Sequence, residues 1–200
     1  KRHRPRLLIL LGNPALLMRD EYRELWGDIP IVLCSEENYL GPQETYTKKQ
    51  AIATADRTPL TQLADPYNMV LLYSNLYLDE NIQLICHIVP EIKKFIFIGD
   101  ARQINQTNNL DIRNKLKKTH PNVEYQFITP QDMTTNQLLD SLYFVDPKTT
   151  GVLFSSWFYK TTFAGNTSLV SNAHKLIGTT AAPIFTLNMA CLLYTSDAAD

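Results

Sequence analysis

The apolar positions of this chain fall into short blocks that switch between strand-like runs and helical spacing. Leu7–Leu11 is a continuous apolar run closed by Gly12-Asn13-Pro14, and Ile29–Cys34 is a second such run. Runs of this length bounded by turn residues predict strands buried on both faces of a sheet. Between them, Pro14–Trp26 reads as a helix. Pro14 suits its first turn, where a missing N–H costs little, and Gly27-Asp28 stops it. Strand, helix and strand joined by short connections predict a parallel, right-handed unit.

The pattern then loosens. Ser35–Tyr39 is polar and Gly41-Pro42 marks a turn. Thr45–Ala55 reads as a short helix or a loop, and Thr58–Asp65 has weak helical character. Val70–Tyr73 reads as a short strand. Leu76–Val89 carries Leu78, Ile82, Ile85, Ile88 and Val89 at helical spacing, and Pro90 ends it. From Lys93 onward the alternation is regular. Strands are predicted at Lys94–Ile98, Val123–Ile128, Thr150–Trp157 and Ala182–Leu187. Helices are predicted at Asn105–Lys118 (Leu110, Arg113 and Leu116 on one face), from an Asp132 cap to Tyr143, and at Asn166–Ile177. The order βαβ, irregular bridge, βαβαβαβ predicts an α/β fold with parallel sheets flanked by helices. A polar bridge and a fresh strand at Lys94 divide it into two parts, 1–92 and 93–190.

Composition fits a soluble globular chain of 200 residues: 44% hydrophobic, 20% charged, with 19 basic and 20 acidic residues. A net charge of −1 offers no basic surface for nucleic acid, and the cluster Lys1–Arg6 reads as a solvated edge. No run of 18 apolar residues exists to span a membrane, and Leu7–Leu11 is too short for a signal-peptide core. Cys34, Cys86 and Cys191 form no CxxC pair and match neither zinc nor disulfide spacing, so no metal or cofactor is expected. The tail Cys191–Asp200, CLLYTSDAAD, closely resembles the in-frame translation of a transposon sequencing adapter. It is expected to pack against nothing. The natural sequence is then read as ending near Met189 or Ala190, as a truncated metagenomic-style fragment, and without the tail the net charge becomes +1.

In open parallel sheets, ligands sit beyond the carboxyl ends of the strands. The loops in those places are Gly12-Asn13, Ser35–Tyr39, Gly99–Arg102, Thr129-Pro130, Ser155–Tyr159 and Asn188. They are rich in residues that hydrogen-bond or stack on small polar ligands, and the same residue types also cap helices. The expected ligand-binding residues are Asn13, Ser35, Asn38, Asp100, Ser155, Ser156 and Trp157. Neighbouring side chains of Ser155–Trp157 alternate in direction, so only some of that group can point into one cleft. No catalytic residue is expected. There is no G-x-S-x-G elbow, HExxH, Walker loop or GxGxxG, and His87, His120 and His174 read as surface or satisfied residues.

The segments PRLLILLGNPALL, GDIPIVLCSEENY, PYNMVLLYSN, IVPEIKKFIFIGD, LKKTHPNVEYQFIT, TGVLFSSW and APIFTLNM follow one another in this order. Together they resemble the periplasmic-binding-protein (type 1)-like sensor region of bacterial hybrid two-component histidine kinases. That region is related to the ABC-transporter substrate-binding proteins. The resemblance covers nearly all of residues 5–190. It implies a two-lobed fold, with a partial first lobe at 1–92 and a second at 93–190, incomplete at both ends. It further implies a small-molecule ligand bound between lobes on the extracytoplasmic, periplasmic side of the inner membrane. Lobe closure would signal to a kinase in a membrane-anchored parent. A fragment of this kind turns over nothing, and the resemblance leaves room for a homodimer. An importer's substrate-binding protein is the alternative. A small α/β enzyme is a third reading, in which Asp100 is the sole carboxylate placed for catalysis.

Overall fold

The computed structural model describes residues 4–64, 68–163, 166–171 and 180–187. They belong to two compact units, Lys1–Leu76 and Tyr77–Asp200. The architecture is α/β, with parallel sheets flanked by helices.

The first unit begins with β1 (Leu8–Leu11), a 3-10 stretch at Asn13–Met18, α1 (Arg19–Trp26) and β2 (Ile31–Ser35). The single helix expected over Pro14–Trp26 is thus 3-10 in its first half. Gly12 and Gly27, with φ 82° and 72°, supply the left-handed turns at either end. Two short strands, β3 (Tyr39–Leu40) and β4 (Thr58–Pro59), pair antiparallel within the irregular bridge, with α2 (Gln43–Thr47) between them. Then come α3 (Leu60–Ala64) and β5 (Met69–Tyr73). The parallel sheet has the order β1-β2-β5. Leu8, Leu10, Ile31, Leu33, Met69 and Leu71 point to one face, where Leu16, Tyr22 and Leu60 join them in a core. On the other face Ile9, Leu11, Val70 and Leu72 are exposed, Leu11 by 78%. The expectation that these strands are buried on both faces is therefore corrected. The described helices of this unit cover one face, and the period-2 alternation of a strand then leaves every second residue in the open.

The second unit opens with α4 (Leu78–Ile88), then β6 (Lys94–Ile98), α5 (Gln103–Thr119), β7 (Glu124–Ile128), α6 (Thr135–Tyr143) and β8 (Thr150–Phe154). The chain continues through β9 (Phe158–Phe163), β10 (Asn166–Ser171) and β11 (Ile184–Thr186). The parallel sheet has the order β11-β8-β6-β7. After Lys94, β6 is apolar throughout, and alternation shares its side chains between two cores. Phe95 and Phe97 meet Ile82 and Ile85 of α4 and Ile112 and Leu116 of α5, while Ile96 and Ile98 meet Leu138 and Leu142 of α6. Each such fully buried side chain contributes about 1.5–3 kcal/mol. Because α4 shares the core of β6, the break in the chain lies at 76/77 and not at 92, the position expected from the polar bridge and the fresh strand at Lys94. In α5 the inward positions are Asn105, Thr107, Asn108, Ile112 and Leu116, and Arg113 is exposed.

Two helix assignments change. Asn166–Ser171, expected as a helix, is β10, paired antiparallel with β9 from Asn166↔Phe163 to Ser171↔Phe158. The preceding FYKTTF run is rich in aromatic and β-branched residues, and a ready strand partner overrides the modest helical spacing of NTSLVS. The rest of that predicted helix, 172–177, lies outside the described residues, as do the tail 191–200, His174 and Asn188. The cap of α6 is Thr134 and not Asp132. Its hydroxyl accepts the Gln137 N–H at 3.3 Å, and the Gln137 side chain accepts the Thr134 N–H at 2.8 Å. Asp132 instead accepts from Thr129 N–H and Oγ1, both at 2.8 Å, closing the loop after β7.

One glycine sets the helix–sheet spacing in the second unit. A Cβ at Gly151 of β8 would lie 2.3 Å from Ile85 Cγ2 of α4. Gly151→Ala is expected to destabilise the chain by about 1–3 kcal/mol, the cost of an extra methyl in a filled core. Urea unfolding measures it. The double variant Gly151→Ala with Ile85→Ala should lose less than the sum of the two single losses, because the two side chains compete for one space.

Candidate functional site

Strands β6 and β8 are parallel neighbours in register Ile98↔Phe154, so the residues that follow each emerge at the same sheet edge. The chain order of the sheet reverses at this point: β7 was added on one side of β6, and β8 then β11 on the other. α5 leaves β6 on one face and α6 enters β8 from the other, which parts the connections at the carboxyl edge, the position where open α/β sheets place a ligand crevice.

Asp100 sits there with only 2% of its surface exposed. Its Oδ1 accepts the Arg102 N–H at 2.9 Å, Arg102 Nε at 3.0 Å and Asn105 Nδ2 at 2.9 Å. Its Oδ2 accepts Ser156 Oγ at 2.7 Å and Arg102 Nε at 3.0 Å. Asn105 Nδ2 also donates to Ser156 Oγ at 2.9 Å, tying the first turn of α5 to the end of β8. Asn105 Oδ1 is buried with no partner among the described residues. Gly99 permits this packing, since a Cβ there would come within 3.0 Å of Asn105 Cγ and 3.1 Å of the Phe127 ring. The Arg102 guanidinium is half-exposed, 5.1 Å over the ring of Phe158. A buried carboxylate pairing with the ε-nitrogen and an aromatic face beneath fix its orientation from two directions.

The other predicted members at this edge behave differently. Ser155 is half-buried, and its N–H donates to Ile98 O at 2.9 Å. Trp157 is fully buried in the α6-side core and donates from Nε1 to Thr135 Oγ1 at 3.0 Å. Its expected place in a ligand cleft is corrected: β8 has ended at Phe154, and the indole turns inward against α6. Arg102, Asn105 and Phe158 were not among the expected site residues. The loops holding Arg102 and Phe158 were flagged by position, but nothing in the spacing singles out Asn105, whose role depends on the first turn of α5 passing over Gly99.

The first unit has its own strand-end cluster. Asn13, buried after β1, donates from Nδ2 to Tyr39 O and accepts from Ser35 Oγ. Ser35 Oγ also accepts the Glu37 N–H at 2.9 Å, and the Tyr39 hydroxyl donates to Glu37 Oε1 at 2.6 Å. Arg57 stacks over Tyr39 at 4.7 Å. Asn38 stays exposed and contributes a backbone carbonyl to Leu60 N–H at 2.9 Å. Asn13 and Ser35 are thus brought together as a clamp on the 35–39 loop, and Asn38 is not part of it. Nearby, the Tyr46 hydroxyl accepts the Gly41 N–H at 2.9 Å, and burial pushes its phenol up to about 12.

Among the described residues, no group of three or more His, Cys, Asp or Glu side chains is placed to hold a metal ion, and no helix is long and apolar enough to cross a membrane. No protein-family model, curated protein or solved structure matches the chain.

Asp100→Ala is expected to cost at least about 2 kcal/mol in urea unfolding, because hydrogen bonds to a charged acceptor are worth about 1.5–3 kcal/mol each and Asn105 and Ser156 are left buried without it. The half-exposed Arg102 rehydrates and limits the loss. A second expectation concerns alkaline pH. Tyr46 is protonated in both folded and unfolded chains below the ordinary tyrosine value of about 10. Above it the unfolded chain ionises first, so stability falls as pH rises from about 10 through about 12. Tyr46→Phe should flatten part of that fall in a series of urea titrations and remove one late step from the tyrosinate absorbance curve.

Proposed function

We propose that this chain is the ligand-binding part of an extracytoplasmic sensor of the periplasmic-binding-protein type, belonging to a bacterial histidine kinase. One observation carries the reading. A hydrogen-bonded polar cluster, Asp100–Arg102–Asn105–Ser156, stands at the carboxyl edge of a parallel sheet where the strand order reverses. Crevices at that position are where open α/β sheets bind small molecules. The order of sequence segments, which resembles the sensor regions of hybrid kinases, supports the same reading. Binding is favoured over turnover because Asp100, the strand-end carboxylate considered for acid–base work, has both oxygens engaged by donors from its own chain. A general base needs a free lone pair within reach of the substrate proton. In a sensor, a ligand acts by favouring one conformation over another, so measurable affinity is the first requirement.

The test is a thermal-shift screen of the full chain against small polar metabolites: sugars, amino acids, nucleosides, and carboxylic and phosphoric acids. A ligand of the folded state raises the melting temperature with saturating concentration dependence. At least one class should do so, and Ser156→Ala, which loosens the cluster, should weaken the response. A flat response across every class would remove the binding-module reading.

A further inference from the structure

We propose that the carboxyl edge of β6 and β8 takes the carboxylate group of a small organic monoanion, received by the two terminal nitrogens of Arg102. This rests on the binding-module reading above and narrows it to a ligand class.

Both oxygens of Asp100 are saturated by Arg102, Asn105 and Ser156, so the one carboxylate of the site has nothing left to offer a ligand. Ser156 Oγ is likewise occupied as donor and acceptor, and both it and Asn105 are buried. What remains presented outward is donors. Arg102 spends its Nε on Asp100, and no hydrogen bond to its terminal nitrogens is made among the described residues. With the side chain 48% exposed, that end of the guanidinium faces outward. Beside it, Gln103 and Ile104 open the 17-residue helix α5, where first-turn N–H groups have no carbonyl one turn back. The exposed guanidinium end is all donor, and it calls for a group that is all acceptor.

The guanidinium is not free to wander, because Asp100 holds Nε and Phe158 lies under the plane. Its two remaining nitrogens form a preset fork matching the two oxygens of a carboxylate, and little side-chain freedom is left to lose on binding. Arg102 and Asp100 cancel, and the α5 terminus, which has no acidic residue in its first turn, adds about half a positive charge. That small surplus suits a single negative charge and gives little support to a phosphate dianion.

The experiment titrates the full chain with acetate, pyruvate and benzoate, with inorganic phosphate, and with ribose as a neutral control, following thermal shift and calorimetry. Saturable binding of at least one carboxylate is expected. Arg102→Lys, which keeps the charge without the fork, and Arg102→Gln should each weaken it by about tenfold or more. Circular dichroism confirms that both variants stay folded. Benzoate or pyruvate should also protect Arg102 from phenylglyoxal, read by peptide mass spectrometry. Carboxylate binding that survives both substitutions overturns the assignment. So does saturable binding of ribose or phosphate without any carboxylate, and that outcome leaves the binding-module reading standing. No saturable response to any of these probes overturns the carboxylate assignment. The binding-module reading falls with it only if the wider metabolite screen is also flat.

Discussion

A carboxylate placed at the end of a central strand and cut off from water must be given donors by its own chain. Asp100 is in that position, and much of the second unit's sheet edge follows from it. Isolated, such a charge would cost several kcal/mol. Here Asn105 arrives from α5, Ser156 from the end of β8, and Arg102 from the turn between. Each donor constrains something else: Asn105 packs so closely over Gly99 that a Cβ there would press on it, and Ser156 ties β8 to the start of α5. The network therefore joins three connections that apolar packing alone would leave independent.

Packing and polarity share the work by alternation. In β6, β8 and their helices, every second side chain serves a different core, and Trp157 continues the α6-side core past the last paired residue. The first unit uses the same alternation with a different result, because the described helices cover one face of its sheet and leave apolar side chains on the other. Its polar clamp, Asn13 with Ser35 and Tyr39, is spent on holding a loop. The two units thus divide the strand-end chemistry unequally. Asn13 is consumed by structure, whereas the cluster around Asp100 engages that carboxylate and leaves Arg102 directed outward.

Much of the fold was legible in the residues. The apolar runs at Leu8–Leu11, Ile31–Ser35 and Lys94–Ile98 are strands because β-branched and aromatic residues bounded by turn signals have few alternatives. The spacing of Ile82 and Ile85 likewise marked α4 as a core-facing helix. Errors fell where a local signal lost to a tertiary partner. NTSLVS became a strand because β9 lay directly before it, and α4 joined the second unit because β6 and β8 offered its apolar face a larger surface. At the site, Asp100 and Ser156 were legible from their places after strands. The role of Asn105 was not, since it exists only once α5 is laid over Gly99. Trp157 misled because an aromatic at a strand exit looks like a stacking platform until the neighbouring helix is in place to bury it.

The strand order has a further consequence for how such a chain is made. In the second unit β6 is the first strand synthesised, and it lies between β7 and β8; β11 then adds beside β8. In the first unit β2 adds to β1 and β5 to β2. Every parallel strand after the first in each sheet therefore finds its neighbour already made as it leaves the ribosome. One edge of β6, however, stays bare until β8 has been made, after α5, β7 and α6, and that edge is where an unpaired apolar strand can join a foreign chain.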